Sequence, residues 1–149
     1  MDSKYFSEMS VRVRAALSHD IPKKVGNQLV SAFKRNFREE GFFGEAWQDV
    51  RRRTHPRKGQ SGKADSQRKI LTGRTGNLGR SIQYKVDDGR VTVYSDLPYS
   101  AAHNVGTTTA GRGHKTTIPQ RRFMGDHAQV RRIVRETVEK SLRKAVSGK

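Results

Sequence analysis

Two stretches near the N-terminus carry apolar residues at helical spacing. The first predicts an amphipathic helix over about 3–17, with apolar positions at Tyr5, Phe6, Met9, Val13, Ala16 and Leu17. The second predicts a helix over about 21–40, with Asp20 as its N-cap and Pro22 in its first turn, and it ends before Gly41 and Gly44. Its stripe has a period near 3.6 residues and comprises Val25, Leu29, Val30, Phe33 and Phe37.

A third apolar stripe predicts a C-terminal helix over about 126–146. Its apolar positions are Val130, Ile133, Val134, Val138, Leu142 and Val146. The opposite face is strongly basic and carries Arg131, Arg132, Arg135, Lys140, Arg143 and Lys144. Asp126 lies near the N-terminus of this helix, where the helix dipole favours a negative charge. The pattern therefore predicts an amphipathic helix with one charged face.

Between these helices, alternating residues predict a β-hairpin over 81–95. If Asp88 and Gly89 form a two-residue turn, the facing pairs are Val86 with Val91, Tyr84 with Val93, and Ile82 with Ser95. One face is then apolar for most of its length. A further strand is expected near 115–119. The elements together predict an α+β fold, with N-terminal helices packed on a small antiparallel β-sheet and a closing C-terminal helix.

Two segments show no apolar periodicity. A basic stretch from Arg51 to about residue 70 or 74 and a Thr/Gly-rich stretch over about 107–117 are expected to be flexible loops, because they have little apolar area to offset the entropy of ordering. Trp47, the single tryptophan, is expected to anchor the start of the first loop against the core. Residues 1–149 are expected to form one domain.

The composition of the chain limits the classes of function that it can have. Lys and Arg number 31 against 14 Asp and Glu, a net charge of +17, which implies an anionic neighbour such as nucleic acid, an acidic protein surface or a membrane surface. There are no cysteines, so disulfides, cysteine-ligated zinc and a catalytic thiol are excluded. Neither a secretory signal nor an apolar run long enough to cross a bilayer is present, and we expect a soluble protein made in the cytoplasm with no membrane partner.

The basic loops and the basic face of the last helix are candidates for DNA contact or assembly, with a solvated charged surface as the simpler alternative. The loop residues concerned are Arg51, Arg52, Arg53, Arg57, Lys58, Lys63, Arg74, Arg80, Arg112 and Lys115. Aromatic residues are not interleaved with these charges, and neither helix-turn-helix nor RNA-recognition signatures occur. Any contact with DNA is therefore expected to involve phosphates and to be independent of sequence.

No residue pattern points to catalysis. The glycines at 73, 76 and 79 do not have phosphate-loop spacing, and a hairpin rather than a helix follows them. The five histidines lack metal-ligand spacing, and no nucleophile elbow is present. We therefore expect no enzyme activity, catalytic residue, metal ligand or cofactor. His103 is interpreted either as a half-buried, satisfied turn residue or as a polar contact that fixes the turn or meets a neighbouring subunit.

Several short motifs follow one another in a recognisable order. A Leu-x-x-Thr-Gly-x-Leu-x-x-Ser-Ile element precedes the hairpin, and a Tyr-x-x-x-His-x-x-Gly element and a Pro-x-Arg-x-Phe element follow it. The residues concerned are Leu71, Thr75, Gly76, Leu78, Ser81, Ile82, Tyr99, Ala102, His103, Gly106, Pro119, Arg121 or Arg122, Phe123 and Gly125. Upstream, Phe37, Glu40, Gly41, Gly44 and Trp47 form a further element. This series resembles the phage virion-morphogenesis family of tail-completion, or head–tail joining, proteins over roughly 33–125.

The resemblance implies a structural role in the neck of a tailed bacteriophage or prophage particle. Such a protein would be made in the bacterial cytoplasm, form a homo-oligomeric ring around the DNA channel, and contact connector, head-closure and tail-terminator proteins. The loops over 54–70 and 107–117 would then be candidate assembly contacts. The alternative is a non-enzymatic, sequence-independent nucleic-acid-binding protein, which explains the charge but not the order of the motifs.

Overall fold

The computed structural model describes residues 3–55 and 67–148. In chain order, the described helices are α1 (Ser3–Ala15), α2 (Ile21–Glu39), α3 (Arg51–Thr54), α4 (Asn77–Arg80), α5 (Ser100–Val105) and α6 (Ala128–Ser147). The described strands are β1 (Gly41–Phe42), β2 (Glu45–Ala46), β3 (Ile82–Asp87), β4 (Arg90–Ser95), β5 (Thr107–Ala110) and β6 (Thr116–Ile118). The α+β class is thus confirmed.

Helices α1 and α2 are joined by a π-helical turn, Ala16–Asp20, so the predicted N-cap at Asp20 is wrong. Ala15 and Ile21 both keep right-handed helical dihedrals, and the Ile21 N–H donates to the carbonyl of Ala16, five residues back. Because a proline ring clashes with the carbonyl four residues before it in a regular helix, the wider turn ahead of Pro22 gives the ring room. The chain therefore stays helical where the sequence predicts a cap.

The strands form three separate antiparallel pairs, β1 with β2, β3 with β4, and β5 with β6. The predicted two-residue turn of the β3–β4 hairpin is confirmed, since Asp88 and Gly89 both have positive φ, 45° and 72°. The predicted apolar face is also the more covered one, because Tyr84, Val86, Val91 and Val93 are partly buried whereas Gln83, Lys85 and Thr92 are exposed.

The prediction of a flexible loop over 107–117 is wrong. These residues form β5, a turn and the start of β6, with Thr107 opposite Ile118 and Ala110 opposite Thr116. The reason is that threonine favours strands and backbone pairing holds the segment together without an apolar anchor. The expected strand near 115–119 corresponds to β6.

The predicted basic loop is wrong at its first described end, whereas bends and turns over 67–76 agree with a loop at its second. Residues 51–54 form α3, and the backbone from Lys69 to Arg80 makes turns that lead into α4. The middle of that loop, including Arg57, Lys58 and Lys63, lies outside the described residues.

By their contacts, the residues group into two compact units. The first comprises 1–31, 83–94 and 126–149, and the second comprises 32–82 and 95–125. Since each unit is assembled from separated segments, neither is a contiguous piece of the chain. The expectation of one domain over 1–149 stays a prediction.

In the first unit, α1 packs against α6, and Arg12 Nε donates to the carbonyl of Ala145 at 3.3 Å. The predicted C-terminal helix is confirmed, and all six of its predicted basic residues are exposed. Its apolar positions are only partly covered, and Val146 is exposed. The buried side chains come mainly from α2 and the π turn: Ala16, Ile21, Val25 and Leu29.

The core of the second unit is aromatic. Phe37 contacts Trp47 and Phe123, with ring centroids 5.6 and 5.0 Å apart. Phe123 is fully buried, and Trp47 Nε1 donates to the carbonyl of Arg122 at 2.6 Å. The predicted anchoring role of Trp47 is therefore confirmed. Among the described helices, none has the length and apolar character needed to span a membrane.

Candidate functional site

An open cleft of about 320 Å³ in the second unit brings together two of the sequence motifs. We call it the motif cleft. One side is formed by the turn over 70–78, and the other by α5 and by Arg121, with Val50 and Arg52 completing the lining. The Thr-Gly motif and the Tyr-x-x-x-His motif, which are far apart in the sequence, thus meet at one surface.

The turn over 70–78 is held by its backbone. Ile70 is buried, and its N–H donates to Glu40 Oε1 at 2.6 Å. The N–H of Gly76 donates to the carbonyl of Thr72 at 2.6 Å, after which α4 begins and buries Leu78. Leu71 has a φ of 60°, which is unusual for a residue with a branched, bulky side chain. The tertiary contacts therefore hold the wall of the cleft in a strained conformation.

Glu40 is the ionic anchor of this region. Arg53 Nη2 donates to Glu40 Oε1 at 2.6 Å, and Arg53 Nη1 lies 3.5 Å from Asp49 Oδ1. Burial alone raises the pKa of Glu40, but the hydrogen bonds from Arg53 and Ile70 and the charges of Arg53 and Lys69 outweigh it, so the pKa is lowered. The carboxylate thereby joins the end of α2 to α3 and to the start of the turn.

Arg52 and Arg53, predicted as residues of a free basic loop, are instead held in place. Arg52 Nη2 donates to the carbonyls of Arg68 and Lys69, at 2.6 and 3.1 Å. The other described candidates, Arg51, Arg74, Arg80, Arg112 and Lys115, are exposed as expected, and Arg80 also donates to Asn77 Oδ1. Of the basic candidates that the structure describes, Arg52 alone lines the motif cleft.

The Tyr-x-x-x-His element forms the short helix α5 rather than a turn. Tyr99 and His103 contact edge to face, and the carbonyl of His103 accepts the N–H of Arg121 at 2.9 Å. Among the described residues, His103 Nδ1 and Ser100 Oγ are buried without a hydrogen-bond partner. The interpretation of His103 as a satisfied turn residue is therefore wrong at this nitrogen. Burial, and then the charge of Arg121, lower the pKa of His103.

Arg121 is a buried cation at the edge of the cleft. Its Nε donates to the carbonyl of Gln48 at 3.0 Å and its Nη2 to that of Asp49 at 3.2 Å. Burial lowers its pKa, and repulsion from Arg52 lowers the pKa further, by more than the attraction of Asp49 raises it. The sequence leaves open whether Arg121 or Arg122 belongs to the Pro-x-Arg motif. Arg122 is half-buried, with its guanidinium 4.6 Å from the ring centroid of Phe42.

The remaining motif residues shape the backbone around the cleft. Gly106 has a φ of 82°, and a Cβ there would lie 2.9 Å from the backbone nitrogen of Gln120, so no other residue fits. Ser81 Oγ donates to the carbonyl of Leu78 at 2.8 Å, and Pro119 follows β6. Thr75 is exposed at the cleft.

Sequence reasoning missed two asparagines that hold the segment over 123–124. Asn104 Oδ1 accepts the N–H groups of Phe123 and Met124 at 2.9 and 3.1 Å, and its Nδ2 donates to the carbonyl of Met124 at 3.1 Å. Asn36 is 1% exposed and donates to the carbonyl of Phe123 at 2.9 Å. A signal was present for Asn36, because it lies beside the apolar stripe between Phe33 and Phe37.

Basic side chains also concentrate on the first unit. There, a groove of about 440 Å³ between α2 and α6 is lined by Lys24, Lys140 and Lys144 together with Glu136. It extends the exposed basic face of α6. Within 3–55 and 67–148, no group of three or more His, Cys, Asp or Glu side chains is placed to hold a metal ion.

Comparison with known proteins identifies the family of the chain. Searches of curated proteins and of solved structures found no match. The model of the phage virion morphogenesis family matches residues 8–143, nearly the entire chain. The four motif elements all lie inside that match. The chain therefore belongs to the phage virion morphogenesis family, whose role is in phage structure and assembly.

Proposed function

We propose that this protein is a neck component that joins or completes the head and tail of a tailed phage or prophage particle. The observation that carries the proposal is the family match over 8–143, which includes every motif that lines or shapes the cleft. In the virion the protein forms a homo-oligomeric ring around the DNA channel and contacts connector, head-closure and tail-terminator proteins. A head-to-tail interface closed by rotation generates such a ring.

The distribution of exposed groups supports an assembly role. Large apolar side chains are exposed on the first unit at Tyr5, Phe6, Val11, Leu17 and Val146, and on the second at Tyr99 and Val105. Exposed apolar groups among basic residues are typical of surfaces that other proteins cover. In this proposal the protein acts by binding and positioning, without catalysing a reaction.

Complementation tests the role directly. The gene is deleted from a phage or prophage that normally carries it. Particles are then counted by electron microscopy, with and without the gene supplied in trans. The proposal predicts DNA-filled heads and separate tails in the deletion strain, and joined particles after complementation. Joined particles in the deletion strain at the wild-type frequency would refute a neck role. The mass of the neck purified from complemented particles then gives the number of copies of this protein in the ring.

Sequence-independent DNA binding is the second candidate function, and the exposed basic face of α6 favours it. The probe is a labelled duplex of about 20 base pairs, long enough to present several phosphates to one protein, titrated with wild-type protein and with the triple variant Arg135→Gln, Lys140→Gln, Arg143→Gln. If DNA binding is the main function, the wild-type protein binds bare duplex as a monomer with steep salt dependence, and the variant loses affinity on any sequence. If joining is the function, the variant binds DNA less tightly yet still complements assembly.

A further inference from the structure

We propose that the motif cleft binds a carboxylate-bearing, apolar segment of another virion protein. This inference rests on the proposed assembly role and adds the chemistry of the partner and the site where it docks. Three features of the cleft carry it: its basic lining residues, the apolar side chains that line part of its walls, and the strained turn that shapes it.

The charged side chains that line the cleft are basic. They are Arg52 and Arg121, and no Asp or Glu occurs among the described lining residues. The Asp49 and Glu40 carboxylates act on Arg52 from outside the lining. The guanidinium of Arg121 is hydrogen-bonded to the carbonyls of Gln48 and Asp49, which are neutral acceptors. At Arg121 the repulsion from Arg52 also exceeds the attraction of the nearby Asp49 carboxylate. An anionic group that enters the cleft beside Arg121 therefore adds attraction at a buried cation whose own hydrogen-bond acceptors are neutral.

The walls of the cleft are apolar in part, and Thr72, Thr75 and Asn77 also line it. Val50, Ile70, Leu71, Leu78 and Tyr99 line it, and Tyr99 remains 42% exposed. A volume of about 320 Å³ lies at the lower end of the range for ligand pockets and accommodates a few side chains. Exposed aromatic rings beside an arginine are also enriched in protein interfaces. The occupant that fits has both apolar side chains and a carboxylate.

The turn over 70–78 is built around a strained residue. Leu71 adopts a φ of 60°, a conformation that is unfavourable for a non-glycine residue. The backbone hydrogen bonds of Ile70 to Glu40 and of Gly76 to Thr72 hold it there. Strain of this kind concentrates at binding sites, where a fixed shape lowers the entropy cost of binding.

A protein carboxylate fits the cleft better than a DNA phosphate. Duplex DNA presents an extended line of phosphates, which proteins contact with exposed Lys and Arg side chains. Here Arg121 is only 7% exposed, so its guanidinium is not presented as those side chains are. Arginine pairs readily with carboxylates through its planar fork of donors. A side chain from a protein loop or terminus reaches such a site, and a rigid duplex does not.

The test uses the full-length protein and labelled nonapeptides that carry a central Asp or Glu between Leu, Phe or Tyr residues. Each peptide has a twin with Asn or Gln in place of the acid, and binding is followed by fluorescence anisotropy. We expect some acidic peptides to bind at least about tenfold more tightly than their amide twins. Thr75→Glu, at an exposed cleft residue, should reduce that binding at least about tenfold, because the new carboxylate occupies and neutralises the site.

The matched control is Thr108→Glu, which makes the same change of charge at an exposed position of β5 outside the cleft lining. It should leave peptide binding within about twofold of wild type, with circular dichroism confirming that both variants fold. Equal binding of acids and amides, equal effects of the two variants, or complete displacement of the peptides by duplex DNA at physiological salt would each overturn the inference. Failure of the peptides with intact complementation would refute the cleft assignment alone, whereas failed complementation refutes the neck role.

Discussion

Gly26 lies inside α2, although glycine normally weakens a helix. The neighbouring ring of Tyr84 explains why a glycine is needed at this position. A Cβ at this position would lie 2.2 Å from Cδ2 of that ring. Gly26→Ala gains about 1 kcal/mol of helix propensity but forces the ring and the helix apart, which typically costs about 1–3 kcal/mol. We expect a net loss of stability, measured by urea unfolding. The control Gly113→Ala, where a Cβ meets open space, should show no such loss.

His103 is expected to make stability depend on pH. Burial and the charge of Arg121 lower its folded pKa below the unfolded value of about 6.5, so the unfolded chain takes up the proton first. Its contribution to stability is therefore full above about pH 6.5 and is lost as pH falls through the folded pKa. Urea midpoints measured from mildly alkaline to mildly acidic pH should fall less steeply for His103→Gln than for wild type.

The control for that experiment is His55→Gln, which removes an exposed imidazole from the end of α3. Its pH profile should follow that of the wild-type protein. If the urea midpoint of His103→Gln fell with pH as steeply as that of the wild type, the prediction that His103 makes stability depend on pH would be wrong.

Among the elements, α3 depends on a carboxylate outside itself. It has four residues and no side-chain cap, too few for a helix to persist by propensity alone. Glu40 at the end of α2 holds it through Arg53 and also binds the N–H of Ile70. Glu40 therefore helps to position both α3 and the cleft wall, together with the hydrogen bonds of Arg52 to the carbonyls of Arg68 and Lys69.

Glu40→Gln should destabilise the protein by about 1–3 kcal/mol at neutral pH. The neutral amide accepts the hydrogen bonds from Arg53 and from the Ile70 N–H less strongly than the carboxylate does. Since the folded pKa of Glu40 is lowered, its contribution is present above the unfolded value of about 4.3 and is lost as pH falls through the folded pKa. The variant should lack that acid-dependent loss. Glu39→Gln, at the exposed preceding residue, serves as the control in the same urea titrations.

The chain in its entirety carries a large excess of positive charge. A net charge of +17 on 149 residues opposes a compact state by self-repulsion. The ion pairs of Asp126 with Arg131 and of Glu136 with Arg132 are exposed, so they offset little of that repulsion. Salt shortens the Debye length from about 30 Å at 0.01 M to about 8 Å at 0.15 M. We therefore expect the thermal unfolding midpoint to rise over this range of NaCl.

KCl at the same ionic strengths should raise the midpoint equally if screening is the cause. A midpoint that falls with either salt would mean that the attractive ion pairs outweigh the self-repulsion.

The sequence was a good guide wherever the determining contacts are local. The β3–β4 hairpin follows from an Asp-Gly turn between alternating residues, and the exposed basic face of α6 follows from a 3.6-residue period. It failed at Asp20, where a capping preference competed with the continuity of α1 and α2. It failed again over 107–117, where strand pairing replaced the missing apolar anchor.

The amino-acid pattern alone thus determined the long helices, the β3–β4 hairpin, the charge and, through the order of its motifs, the family. The cleft depended on contacts between distant positions. Glu40 binds the N–H of a residue 30 positions away, and Asn36 binds a carbonyl 87 positions away. Periodicity and turn preference act over a few residues only, so they carry no information about which polar side chains such long-range contacts bury and pair.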